Sequence, residues 1–403
     1  MTLDFTILRE LSEIEAIASE WDALVAETGA DIYFHRTWIE TWWEVFGAGR
    51  RPLIACIRLP PSEGGRLVGL LVFVTEEFRL AGARLRVARL AGANPNYALL
   101  RLPLIADRAA AALAGTLQTL IRQESHDAVS LSPLSDGSAD LRSLQEALAA
   151  EPGLSLVPDP EPRQHMQIPL PESFDAYMAS LSSNRRSKYR RSKRMIEEEQ
   201  GLVTEVLTGQ DAAGFFDRFV ALHNAQFQSR GKLGHFDDWP GSREFYARLC
   251  WAMAGTGRVR FYVQKDAAGQ VYSALFCFVA GSTCHAHLTA REESEALASA
   301  NLGLHAQFER IERLIDENVT TVESGAGEYS YKRSLNGDTL PMRRILVGGS
   351  TRRARARLKI LVRWADILNL VYYRIWFNRL APRLRHHGLA RGPLWAPWRR
   401  TRL

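Results

Sequence analysis

Cysteine is scarce in this chain. Four occur in 403 residues, Cys56, Cys250, Cys277 and Cys284, and no two stand in C-x-x-C spacing. That argues against a disulfide framework and a cysteine zinc site, and it predicts a reducing compartment. Glycine and proline, 29 and 17, are too few for a collagen-like or largely disordered chain. Long apolar runs are missing as well. The one long stretch without Asp, Glu, Lys or Arg, residues 267–290, is broken by Gly281-Ser282 and carries two histidines, so no conventional spanning helix is expected. Residues 10–27 carry Glu and Asp throughout, which predicts no secretory leader and a cytoplasmic protein. There is no G-x-S-x-G elbow, no H-E-x-x-H and no Walker loop, so hydrolase, zincin and NTPase chemistry find no support.

The charge that is present is unevenly placed. From Thr351 to Leu403 there are 14 Lys and Arg against one acid, Asp366, a net +13, while the whole chain carries +6. Everything before this tail is therefore mildly acidic, at −7. Such a body does not suggest a nucleic-acid partner. Within the tail, Leu358–Leu380 is apolar nearly throughout, with Lys359, Arg363, Asp366 and Arg374 close to one helical stripe and Trp364, Tyr372, Trp376 and Phe377 elsewhere. A helix of this kind suits an anionic membrane surface. It equally suits docking on the protein itself or on a partner.

Apolar periodicity and turn residues divide the rest into two halves with one order: strand, helices, several antiparallel strands, helix, strand. The first half opens on a strand at Phe5–Leu8. Ser12 and Glu15 read as a capping box for a helix through Ala26. Then come a Trp-rich helix at Arg36–Phe46 and strands at Pro52–Leu59, Arg66–Val74, Leu85–Leu90 and Leu99–Ile105. Turn signals stand at Gly64-Gly65 and Ala93–Asn96. Pro158–Pro162 (P-D-P-E-P) is the linker. The second half holds helical stretches at Glu172–Glu199, Ala212–Ser229 and Ser242–Ala254. Strands follow at Val259–Gln264, Val271–Val279 and Cys284–Thr289, then a helix Ala298–Asp316, a strand Thr320–Glu323 and a closing strand near Met342–Val347. The fold class predicted is α/β (α+β), as two similar domains, 1–160 and 161–347, each a mixed, mostly antiparallel sheet flanked by helices, followed by a basic, apolar-rich tail, 348–403.

Three stretches carry a resemblance to a known family. They are Leu181–Gly201 (L-S-S-N-R-R-S-K-Y-R-R-S-K-R-M-I-E-E-E-Q-G), Ser299–Ala306 (S-A-N-L-G-L-H-A) opening a helix after a strand pair, and Val322–Lys332 (V-E-S-G-A-G-E-Y-S-Y-K). Together they resemble the CelD-type acyltransferases of the GNAT superfamily, found beside cellulose and exopolysaccharide genes and related to the FemAB-like tandem-GNAT proteins. The family signature D-F-G-x-G-x-x-x-Y-K is met at Gly325, Gly327, Tyr331 and Lys332, with Glu323 for Asp and Ser324 for Phe. The resemblance implies tandem GNAT domains and acyl transfer from acyl-CoA, or from aminoacyl-tRNA in the FemAB branch. The first domain has no Y-K signature after its late strand and is expected to be non-catalytic.

The residues themselves allow specific roles. Ser299, Asn301, Gly303 and Leu304 open a helix whose free N–H groups suit a pyrophosphate; they equally suit a plain helix start. Glu323, at a strand end, is a candidate general base, Tyr331 a candidate acid for the departing thiolate, and Lys332 a stabiliser of the acyl carbonyl or an anchor for an anion. The same segment also reads as a glycine turn with a surface ion pair. The helix around Asn184–Arg194 has seven cations, of which Arg185 and Lys188 share a side and suit an anionic acceptor, a phosphate or a uronate; the bland reading is a solvated face. His285 and His287 share one strand face. No third ligand stands at suitable spacing, so no metal is expected; His287 and His223 read as packed rings or as lining of an acceptor groove. The expected protein is a cytoplasmic acyltransferase. Acetyl-CoA or another acyl-CoA is the donor, and an amino or hydroxyl group of a sugar or polysaccharide precursor is the acceptor. Two rivals are an aminoacyl-tRNA-dependent transferase and a non-catalytic membrane scaffold.

Overall fold

The computed structural model describes residues 3–80, 83–92, 99–159, 162–293, 297, 299–327 and 330–389. The turn at 93–96, the linker positions 160–161, Ala298, Glu328 and the chain after 389 lie outside the described residues. The chain forms two compact units, residues 1–163 with 341–374 and 396–403, and residues 164–340 with 375–395.

The strands are β1 (Asp4–Leu8), β2 (Pro52–Arg58), β3 (Leu67–Leu80), β4 (Ala83–Leu90), β5 (Ala128–Ser130), β6 (Leu134–Ser135), β7 (Leu154–Leu156), β8 (Arg163–Pro169), β9 (Val203–Thr208), β10 (Val259–Lys265), β11 (Val271–Ala280), β12 (Thr283–Arg291), β13 (Thr321–Ala326), β14 (Asp338–Arg343) and β15 (Leu346–Gly349). In the first unit they form a sheet in the order β1-β2-β3-β4-β5-β15-β7. Strands β1 to β4 are antiparallel neighbours, and β4 pairs β5 in parallel. Strand β2, second in that order, is buried on both faces except at its end, so its run P-L-I-A-C-I is continuously apolar rather than alternating. Helices α1 (Ala18–Thr28), α2 (Arg36–Phe46), α3 (Ala109–Gln118) and α4 (Ala139–Ala149) belong to this unit.

Three local expectations are corrected here. The chain enters its first helical stretch at Leu11, not at a Ser12 cap, and Glu13 accepts from the Arg9 and Glu10 N–H groups at 2.7 and 2.9 Å. The stretch 99–105 makes only isolated bridges, Leu99 with Leu134 and Leu104 with Gly69, because Pro103 interrupts the donor row a strand needs. The closing strand, expected in the second domain, is β15 in the first unit's sheet, where it hydrogen-bonds both β5 and β7.

The second unit's sheet runs β8-β13-β12-β11-β10-β9. All neighbours are antiparallel except β12 with β13. The mixed, mostly antiparallel α/β architecture read from the sequence is therefore present in both units. Its helices are α5 (Phe174–Ser180), α6 (Ser183–Lys193), α7 (Gly209–Gln228), α8 (His235–Asp238), α9 (Ser242–Ala252) and α10 (Leu302–Asp316). The single helix expected over 172–199 is broken. Leu181 is extended, and Ser182 caps α6 by accepting from the Arg185 N–H, the role a serine plays best at a helix start. One face of the sheet buries Ile168, Tyr262, Leu275, Cys277, Cys284 and Val322 against Tyr177, Tyr189, Phe308 and Ile311.

Candidate active site

Parallel strands that pair briefly and then part leave a cleft between their ends. Strands β12 and β13 pair only through Thr283–His285 with Thr321–Glu323 among the described residues. Beyond that point β12 follows β11, past a register shift at Phe276/Cys277, and β13 follows β8, past a shift at Glu323/Ala326. Helix α10 starts beside the opening. Its cap, Asn301, is left-handed at φ 57° and ψ 44° and makes no side-chain cap bond. The Leu304 and His305 N–H groups bond to the Asn301 carbonyl. Those of Leu302 and Gly303 have no acceptor among the described residues, and the helix dipole adds positive potential there.

Ser192 fixes this start. It is buried on α6 and donates to the Ala300 carbonyl at 2.5 Å. Tyr189, one helical turn earlier, stacks on Phe308 of α10 at 4.4 Å between centroids. Small and aromatic residues on one face of a strongly basic helix thus anchor the mouth of the cleft.

A pocket of about 520 Å³ occupies the opening. Asn301, Leu302, Gly303 and Leu304 line it from α10, Thr289, Ala290 and Arg291 from the end of β12, Gln226 and Arg230 from α7 and the turn after it, and Tyr331 from the segment beyond β13. A Cβ on Gly303 would lie 3.2 Å from Arg291 Nη1, so glycine leaves the guanidinium room beside the free amides. Glu293 holds the cations in place: its Oε1 is 2.6 Å from Arg230 Nη2 and 3.5 Å from Arg291 Nε, and it accepts from Gln226 Nε2 at 3.3 Å. An anion entering here competes with Glu293 for two guanidinium groups and finds two amides ready.

Behind this wall lies a buried polar set. Glu323 is 2% exposed. Its Oε1 accepts from the Gly325 N–H at 2.7 Å and stands 3.8 Å from Nδ1 of the fully buried His165 on β8. Gly325 and Gly327 have φ of 75° and 91°, backbone that only glycine adopts without strain. Their turn directs three carbonyls inward, and Lys332 Nζ donates to those of Gly325, Ala326 and Gly327 at 2.9, 3.1 and 3.2 Å. Lys332 is 3% exposed, and desolvation pushes its pKa down to about 8, against an opposing pull from Glu323.

The predicted residues therefore fall into groups. Asn301, Gly303, Leu304 and Tyr331 meet in the pocket. Glu323 and Lys332 lie in the turn behind it, and the observed bonds of Lys332 make it the residue that positions this turn. Ser299, Arg185 and Lys188 do not line the pocket; Arg185 is half-buried and Lys188 exposed on α6. His223 and His287 do not line it either. The buried His223 accepts at Nε2 from the His235 N–H at 3.1 Å, so its Nδ1 carries the proton and donates to the Thr289 carbonyl at 2.9 Å. It braces the end of β12. His287 packs among Tyr246, Phe276 and Phe278, and loss of water holds its pKa well below the ordinary value. Arg230, Arg291, Glu293, Ser192 and His165 are additions that sequence reading missed. Among the described residues, Glu197, His305 and Glu309 bring ligand-type atoms within 4.8 Å of one another. Lys193 lies 3.8 Å from Glu197, and the Tyr189 hydroxyl donates to Glu309.

Residues 183–333, which include the cleft, match the family model described as an acetyltransferase (GNAT) domain. By this match the segment is an acyltransferase domain. Among solved structures, FemX shares the fold at 13% identity and a TM-score of 0.59, over 85% of this chain and 98% of that one. The C-terminal domain of a protein assigned as a lysylphosphatidylglycerol synthetase from Agrobacterium fabrum shares it at 10% identity and a TM-score of 0.50, over 86% and 95%. No curated protein matches the chain in sequence.

Proposed function

We propose that the second unit transfers an acyl group from acyl-CoA to an amino or hydroxyl group of a sugar or polysaccharide precursor. One observation carries the donor assignment: Leu302 and Gly303, whose amides have no acceptor among the described residues, line the same pocket as Arg291 and Arg230. Together these groups match a pyrophosphate. The pantetheine arm would then run along the parted edge of β12. The acceptor nucleophile attacks the thioester carbonyl and loses its proton as the thiolate leaves. Tyr331, on the pocket wall, is assigned the proton that the thiolate takes up. The acyl carbonyl and the acceptor compete for no cation, because Lys332 is committed to its turn.

Calorimetry with acetyl-CoA tests this directly. Gly303→Glu sets a carboxylate against Arg291 and the free amides, and it should weaken binding by about tenfold or more while the melting temperature holds. Gly303→Ala should bind nearly as well as the native protein, since the flexible Arg291 tip can yield. Unchanged affinity in Gly303→Glu would move the donor elsewhere, and no binding by the native protein would remove acyl-CoA as the donor.

A further inference from the structure

The C-terminal helix Arg352–Leu370, continued by a π-helical stretch through Leu380, has two apolar faces where a docked helix needs one. Leu358, Leu361 and Val362 are buried in the first unit against Phe78, Leu85, Val87, Val157 and Leu346. The other face is open. Ile360, Trp364, Ile367 and Val371 are exposed by 58, 48, 43 and 43%. They follow one another at steps of four, three and four, so they form one continuous stripe. No helix of the described residues is long and apolar enough to cross a membrane.

The charges beside the stripe are of one sign. Arg363 is exposed three residues after Ile360 and four before Ile367; Arg374 is exposed three after Val371; Lys359 precedes Arg363 by one turn. Arg352, Arg353 and Arg355 are exposed at the start of the helix. The acid of this helix, Asp366, is paired with Arg344, and Arg357 is 3.3 Å from Asp127. What faces outward is an apolar strip with a cationic edge and a tryptophan within it.

We infer that this face docks the protein on an anionic lipid surface, with Ile360, Trp364, Ile367 and Val371 entering the acyl boundary and Lys359, Arg363 and Arg374 at the headgroups. The charge favours lipid over a protein partner. A row of cations with no ion pair among the described residues matches a uniformly anionic plane, and a helix held down on its other face is already oriented to lie flat on it. The helix also covers part of the first unit's core, so deleting it would expose that core; point substitutions on the open face are the clean test.

The experiment is co-sedimentation of the full chain with vesicles of phosphatidylcholine containing phosphatidylglycerol, and with phosphatidylcholine alone. The native protein should bind the anionic vesicles at low salt and bind the neutral ones far less. Added salt should weaken the binding without abolishing it. Ile367→Glu should weaken it by about tenfold or more through lost apolar burial. Arg363→Gln should weaken it about fivefold, the effect of one cation near such a surface. Melting temperatures should hold, because both positions are exposed; if Ile367→Glu does not fold, Trp364→Ser carries the same expectation. The inference fails if the native chain ignores anionic vesicles at low salt, or if the apolar substitutions bind like the native protein. It also fails if, without lipid, the native chain is a dimer that Ile367→Glu dissociates, for then a second copy covers the stripe.

Discussion

A lysine removed from water keeps its proton only where other oxygens take the place of the solvent. Lys332 has three N–H donors and three carbonyls to receive them, those of residues 325–327. The match works only for the ammonium, since a neutral amine has two hydrogens to offer. With a pKa near 8, the third bond is lost in mildly alkaline solution, and the turn that leads to Tyr331 loosens. We expect kcat/KM to fall as the pH rises through about 8, read from a rate profile carried well past that point. A flat profile would separate the lysine's charge from the reaction. Lys332→Ala leaves all three carbonyls without their donor. Its turnover should fall about 100-fold, the scale of a pocket residue misplaced by a change away from the chemistry, in steady-state assays of folded protein. The pattern G-x-G followed by Lys was legible, because positive-φ glycines and a lysine are unusual in such a run. The buried His165 was not, because one histidine in an alternating strand carries no mark of the carboxylate it will meet from a strand more than 150 residues away.

At the scale of elements, the strands from Val259 to Thr289 and the helices around 212–254 and 302–316 were readable to within a few residues, and the site was lost at their ends. The strand ending at Thr289 in sequence runs on to Arg291, which takes that guanidinium to the pocket. The helix ending at Ser229 stops just before Arg230. Strand pairing, not propensity, decides such ends, and pairing partners lie far away in sequence. Ser192 shows the same limit. In a run of seven cations it looks like a solvated residue, yet it is the buried anchor of α10. Ser192→Ala should cost about 1 kcal/mol of stability, the usual value of one buried hydrogen bond. It should also weaken acetyl-CoA binding several-fold with no contact to the ligand. Denaturation and calorimetry on one preparation distinguish these effects. A loss of stability with unchanged affinity would show that the helix start holds without its serine.

Over the whole molecule, the buried histidines set the response to acid. Burial pushes His285 and His305 down to about 4 and lowers His126 and His223 as well. Each binds its proton in the unfolded chain near 6.5, so between those values the unfolded state holds more protons and acid favours it. Stability should therefore fall as the pH drops from about 6.5 to 4. Glu309, whose pKa burial raises, works in the opposite direction. The midpoint of urea unfolding measures it, and a constant midpoint across that range would mean these rings are hydrated. The strand β15 has a consequence of another kind. It lies between β5 and β7 in the first sheet, yet it is Leu346–Gly349 in the chain. Residues 164–340 are in effect an insertion within the first unit. During synthesis the half that is made first waits for a strand translated after the second unit, so the N-terminal sheet closes last, and a chain ended at residue 340 would lack the strand that joins β5 to β7.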